Sequence, residues 1–153
     1  MLIFDELTFA QCCFVAAHIR DRDYREWIAE TGEPSRAAIA IASFHSSPAH
    51  LRWVCLRNGS PIAALGFAPI YPHLASVWAF GTPAADKAFP RIGRFLFTSG
   101  RESALKSGIR RAEVRCLDVS RDWIKSLGGT FEAEMREYGV NGETFYLYSW
   151  TGG

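Results

Sequence analysis

The chain has 153 residues, 48% hydrophobic and 22% charged, which excludes wholesale disorder and fits one globular domain over 1–153. Lys and Arg number 17 against 16 Asp and Glu, and the resulting net charge of +1 argues against a specific nucleic-acid binder. Each apolar run is too short to cross a bilayer, so no integral membrane segment is expected, and the opening MLIFDELTFAQCC lacks the basic region of a secretory signal.

Residues 2–8 read as a short first strand. From Phe9 to about Ile28, apolar residues recur at helical spacing (Phe9, Cys12, Cys13, Ala16, Ile19, Trp27), which predicts one amphipathic helix. Thr8 is its N-cap and Thr31-Gly32 its stop. Pro34 opens a second helix over about Ser35–Phe44. The period then changes to two. Leu51–Arg57 and Ile62–Pro69 form a hairpin through Asn58-Gly59, and Ala75–Gly81 follows as a third strand. After an irregular stretch, Ile92, Phe95, Leu96 and Ser99 mark a helix running to about Lys106, with Gly108 at its C-cap.

Arg111–Leu117 alternates, with Ala112, Val114 and Cys116 on the core face and Arg111, Glu113 and Arg115 turned outward. Ser120 caps a short helix carrying Trp123, Ile124 and Leu127, which Gly128-Gly129 ends. Phe131–Tyr138 and Thr144–Trp150 form a last hairpin around Asn141-Gly142. The fold class is α+β: a mixed sheet of six to seven strands with about four helices packed on it, and a parallel crossover from Ala75 to Leu117.

The four cysteines (Cys12, Cys13, Cys55, Cys116) form no CxxC pair and read as reduced core residues, not a metal site. His18, His45, His50 and His73 form no ligand-like pair. Lys87, Arg91, Arg94 and Arg101 share a helix face, which reads as a solvated surface in a chain of this charge. Tyr146, Tyr148 and Trp150 lie opposite Phe145 and Leu147, so either both faces of the last strand are covered or one meets a partner at Trp150.

The element order, together with the short helix and Gly exit of Ser120–Phe131 (SRDWIKSLGGTF), resembles the GNAT (Gcn5-related N-acetyltransferase) fold. The stretch from Val77 to Gly153 resembles the internal virion protein A family of short-tailed bacteriophages. The residues that carry this are Val77-Trp78 with Thr82, the helix RIGRFLF…GRESALK, RDWIKSLGGTFEAE and the ending Trp150-Thr151-Gly152-Gly153. That resemblance implies a virion component inside the capsid, made in the host cytoplasm and delivered with the genome. Its partners would be other virion proteins, with a homo-oligomer left open.

The GNAT resemblance implies a test for acetyl-CoA. Those enzymes hold its diphosphate on backbone N–H groups at the start of the central helix, in an Arg/Gln-x-x-Gly-x-Gly/Ala motif. Here the stretch is Ala88-Phe89-Pro90-Arg91-Ile92-Gly93, so only Gly93 matches, and Pro90 has no N–H to give. Ile124 stands where many of these enzymes carry a tyrosine acid. The expectation is therefore a virion component with no catalytic residues and no cofactor. The alternative is an active phage N-acetyltransferase using acetyl-CoA. Its cofactor stretch would be Phe80, Gly81, Thr82, Arg91, Ile92, Gly93 and Arg94, its base Asp118, and its nucleophile, in principle, Cys116.

Overall fold

The switch from helical to alternating period falls where the sheet begins. A computed structural model describes residues 1–152 and shows seven strands: β1 (Leu2–Glu6), β2 (Arg52–Arg57), β3 (Ser60–Tyr71), β4 (Leu74–Gly81), β5 (Arg111–Cys116), β6 (Thr130–Met135) and β7 (Phe145–Thr151). They form one sheet in the order β1-β2-β3-β4-β5-β7-β6. Every neighbouring pair is antiparallel except β4 and β5, which run parallel, as the crossover requires.

Five helices cover the two faces. α1 (Phe9–Ala17) and α3 (Arg36–Ser46) pack Cys12, Val15, Ile39 and Ala40 against Val54, Ala64 and Phe80. On the opposite face lies the central helix α4, residues 89–106. It is built from Phe89–Phe95, a π-helical turn at Leu96–Gly100 and Arg101–Lys106. With α5 (Arg121–Ser126) it packs Ile92, Leu96, Ala104 and Ile124 on Phe67, Val77 and Tyr148. Each large side chain buried this way contributes roughly 1.5–3 kcal/mol.

Several local expectations hold. Thr8 accepts from the Gln11 N–H while Gln11 reaches back to Thr8, a complete capping box. Gly32 takes the left-handed conformation (φ 72°) that ends α2 (Asp21–Thr31), and Asn58 and Gly59 both have positive φ in the β2–β3 turn.

Others are corrected. The helix expected over Phe9–Ile28 is two helices, α1 and α2, broken at His18–Arg20, where the Ile19 N–H bonds the Ala16 carbonyl and the Arg20 N–H bonds the Gly81 carbonyl. Ser120 does not cap α5; its hydroxyl donates to Glu26 instead. β6 stops at Met135, and residues 136–144 form a loop whose Val140 N–H donates to the Ala29 carbonyl at 2.8 Å. Trp150 is not a surface patch. It is 6% exposed, stacks on Phe97 with centroids 4.0 Å apart and donates to the Leu127 carbonyl. Glu113 is turned to the expected face yet is only 7% exposed, because Arg111 and Arg115 close over it.

Candidate functional site: the cleft between β4 and β5

Two parallel strands joined by a crossover need not stay paired along their length. Here only Leu74–Ser76 pair with Arg111–Glu113. Beyond Ser76 the strands diverge, leaving a V-shaped cleft of about 180 Å³. Phe89, Trp123, Ile124 and Leu127 wall it on the α4/α5 side; Arg20, Asp23, Glu26, Trp27 and Glu30 line it on the α2 side.

The α4/α5 side is where an acyl-CoA would have to be held. In the loop after β4 five N–H groups bond the loop's own carbonyls, Ala85 to Thr82, Asp86 to Pro83, Ala88 to Ala85, and Arg91 and Ile92 to Ala88, while those of Ala84, Lys87 and Phe89 have no backbone partner among the described residues. Thr82 N–H is taken by the Ile62 carbonyl and Gly81 N–H by the Asp23 carboxylate. Pro90 has none. Gly93 is a close-packing glycine. A Cβ there would meet both Leu127 methyl carbons at 2.7 Å and Trp123 Nε1 at 3.0 Å, so its missing side chain serves the close fit of α4 on α5. Trp123 seals that contact by donating to the Phe89 carbonyl at 3.0 Å and meeting the Phe89 ring edge-on. Pro90, without an N–H, and Arg91, in place of a glycine, depart from the diphosphate cradle of coenzyme A enzymes, while Lys87 and Phe89 keep N–H groups without backbone partners among the described residues.

Of the stretch read from the sequence as a cofactor site, Phe80 lines the cleft from the core, Ile92 is a core residue, Thr82 and Gly81 are buried and bonded to the fold, and Arg91 and Arg94 are exposed. Asp118 is not a cleft residue. It lies in the turn before α5 with an 82% exposed side chain, 3.6 Å from Arg121. Cys116 is fully buried, and burial pushes its thiol up to about 12.

The α2 side carries what the sequence reading missed. Asp23, Glu26 and Glu30 recur at helical spacing and line the cleft together. Glu26 Oε2 accepts from the Leu117 N–H at 3.0 Å and from the Ser120 hydroxyl at 3.2 Å. No cation pairs with Glu26 among the described residues. Withdrawal from water, with Asp23 and Glu30 adding to it, pushes its carboxyl up to about 7, although the two hydrogen bonds act against the rise. Burial also raises Glu30, partly offset by Arg115. The legible signal was the acidic stripe on a helix that also carries Trp27, on the side facing the sheet.

The architecture matches that of solved acetyltransferases. A GCN5-related N-acetyltransferase from Kribbella flavida is similar over 99% of this chain and 98% of its own, at 16% identity and a TM-score of 0.72. A GNAT-family acetyltransferase from Streptococcus pneumoniae is similar over the whole of both chains, at 13% identity and a TM-score of 0.70. A Salmonella typhimurium protein solved with its cofactor acetyl-CoA is similar over 98% of this chain and 93% of its own, at 16% identity and a TM-score of 0.69. The chain has a GNAT-like fold. No family model matches the sequence, and no curated protein does. The fold expected from the sequence is thus borne out. At these identities the solved structures show the fold alone, and none of them carries the resemblance to internal virion proteins.

Proposed function

We propose that this chain is a GNAT-fold protein that acts by binding and not by acetyl transfer, as a phage virion component in contact with other virion proteins. The observation that carries the first half is the α4/α5 side of the cleft: Pro90 has no N–H, those of Arg91 and Ile92 bond the Ala88 carbonyl, and Leu127 and Trp123 pack against Gly93. The resemblance of Val77–Gly153 carries the second. Titration with millimolar acetyl-CoA should give no saturable heat and no change in melting temperature. A ligand present at a thousand times its Kd would stabilise the fold by about 4 kcal/mol and raise Tm by roughly 10 °C, so real binding is easy to see. A saturable shift of that kind overturns the binding-only reading. The protein should also be found by mass spectrometry in purified particles; recovery from lysate alone would overturn the virion placement.

A second reading, acetyl transfer to an amine, is favoured by two observations: the V stays open, and Glu26 sits in it with a carboxyl able to take a proton near neutrality. The acetyltransferases that share the fold also support it. It predicts release of coenzyme A thiol from acetyl-CoA when primary amines are supplied, and loss of that release in Glu26→Gln.

A further inference from the structure

Tryptophan gathers at the cleft. Four of the five in the chain, Trp27, Trp78, Trp123 and Trp150, line it. Each spends its indole N–H elsewhere: Trp27 on the Glu33 carbonyl at 2.9 Å, Trp78 on the Ser47 hydroxyl at 2.8 Å, and Trp123 and Trp150 on the Phe89 and Leu127 carbonyls at 3.0 Å. The rings therefore bring carbon and π surface to the cavity and no hydrogen-bond donor.

The charges along the same cavity do not cancel. Arg20 is bonded to Asp23 at 2.7 Å and to Asp86 at 3.1 Å, and Arg115 to Glu113 at 3.2 Å. Glu26 and Glu30, one turn apart on α2, have no ion-pair partner among the described residues. Both bonds that Glu26 accepts end on Oε2, which leaves Oε1 without one among the described residues. A cavity walled by π surface and carrying two uncompensated carboxylates attracts a cation.

We propose that this cleft binds the head of a small organic cation of the trimethylammonium class. The inference rests on the binding reading of the cleft, since a quaternary nitrogen has no lone pair to accept an acetyl group. The lining selects the class. No group of three carboxylates, thiols or imidazoles stands ready to hold a metal ion among the described residues. A primary ammonium is compact and strongly hydrated, and ring surface cannot replace the hydrogen bonds it gives up on entry. A trimethylammonium has no N–H to satisfy; its methyl groups pack on rings while Glu26 and Glu30 supply the opposite charge. Size agrees. At about 180 Å³ the cavity lies below the roughly 300–1,000 Å³ of sites for drug-sized ligands, which suits a head group.

The test is tryptophan fluorescence of the intact protein, titrated with choline chloride against sodium chloride at equal ionic strength. Choline should give a saturable change. The neutral dimethylbutanol in which carbon replaces its nitrogen has the shape without the charge; ethanolamine has the charge without the methyl groups. Each should bind at least about tenfold more weakly than choline. Glu30 is exposed, so Glu30→Gln should leave the fold intact and weaken choline several-fold, and Glu26→Gln should weaken it further. Should Glu26→Gln fail to fold, Glu30→Gln and the neutral analogue decide. A peptide carrying trimethyl-lysine reads the source of the head group within the proposal: binding tighter than choline assigns it to a partner protein's side chain, weaker binding to a free small molecule. No saturable change with choline, equal binding of either analogue, or choline binding unmoved by Glu30→Gln overturns the proposal. Such a failure leaves the acetyl-CoA result standing, whereas saturable acetyl-CoA binding overturns the binding-only reading whether or not choline binds.

Discussion

Glu113→Lys should destabilise this protein severely, although its position in the β5 alternation marks it as an outward-facing residue. The Glu113 side chain is 10% exposed and bonds Arg111 Nη2 at 3.1 Å and Arg115 Nη2 at 3.2 Å; the two arginines are about 30% exposed. A lysine there turns two attractions into two repulsions and places three cations along one strand face, with only Glu132 left to offset Arg111. Removing one partner from a fully buried pair costs about 3–5 kcal/mol, and the partial exposure of the arginines reduces that to roughly 2–4 kcal/mol. Glu113→Gln keeps an acceptor and adds no charge, so it should cost about 1–2 kcal/mol. Urea unfolding followed by far-UV circular dichroism checks both. With a slope of roughly 1–3 kcal/mol per molar, Glu113→Lys should lower the midpoint by at least about 1 M. Val114→Asp makes the comparison sharp: Val114 is only partly buried and lines the cleft, so its carboxylate reaches water and should cost less than Glu113→Lys. A Glu113→Lys midpoint indistinguishable from wild type would refute the reasoning, since it would mean that water screens the arginines and the cluster contributes nothing.

Four further outcomes follow from particular contacts. Glu26→Gln should raise stability at pH 8 by about 1–3 kcal/mol and change it little at pH 4.5, because the native carboxyl is raised to about 7 and the stability it contributes is lost as pH rises through that value; calorimetry at the two pH values checks it. Glu132 has the opposite sign: bonds from Arg111 and Ser149 hold it down at about 2, so its contribution is present above about pH 4.5 and fades as pH falls toward 2, a loss that Glu132→Gln should remove from an acid titration of ellipticity. Gly66→Ala should cost about 1–3 kcal/mol in a thermal melt, since its Cβ would lie 2.8 Å from both the Leu51 carbonyl and the Trp78 ring, which the Ser47 hydroxyl holds in place. Trp123→Ala should cost about 3 kcal/mol and create no saturable acetyl-CoA binding, because Pro90 still lacks an N–H and Arg91 and Ile92 still bond the Ala88 carbonyl.

The sheet was legible because alternation is a one-dimensional signal. Arg111–Leu117 and the two hairpins report their own faces, and Asn58-Gly59 reports its own turn. What escaped depends on contacts distant in sequence. No Gly or Pro marks the break between α1 and α2; it is made by Gly81, whose carbonyl captures the Arg20 N–H. Ser120 reads as a cap until Glu26, 94 residues away, is seen to take its hydroxyl. Glu113 reads as solvated until the loss of water around it is seen to come from its own neighbours on β5. Trp150, close to the end of the chain, reads as a contact residue until Phe97 is found stacked on it. The reason Gly93 is a glycine escaped in the same way, because Leu127 and Trp123, which pack against it, lie about thirty residues on.

The π turn at Leu96–Gly100 sets a phase relation within α4. An α-helix advances about 100° per residue, so a segment holding one residue too many rotates everything after it by roughly that angle. Here the offset lets both halves of the helix face the sheet: Gly93 and Ile92 before the turn are buried against α5 and β4, and Ala104 after it is buried while Arg101 reaches the Thr151 carbonyl. Deleting one residue between Leu96 and Gly100 would restore regular hydrogen bonding and yet misalign one half by about a quarter turn. Either the Gly93 contact with Leu127 or the Ala104 contact with the sheet would be lost. In this helix a shorter, more regular backbone is the less stable one, and insertions or deletions should be tolerated only in pairs that cancel.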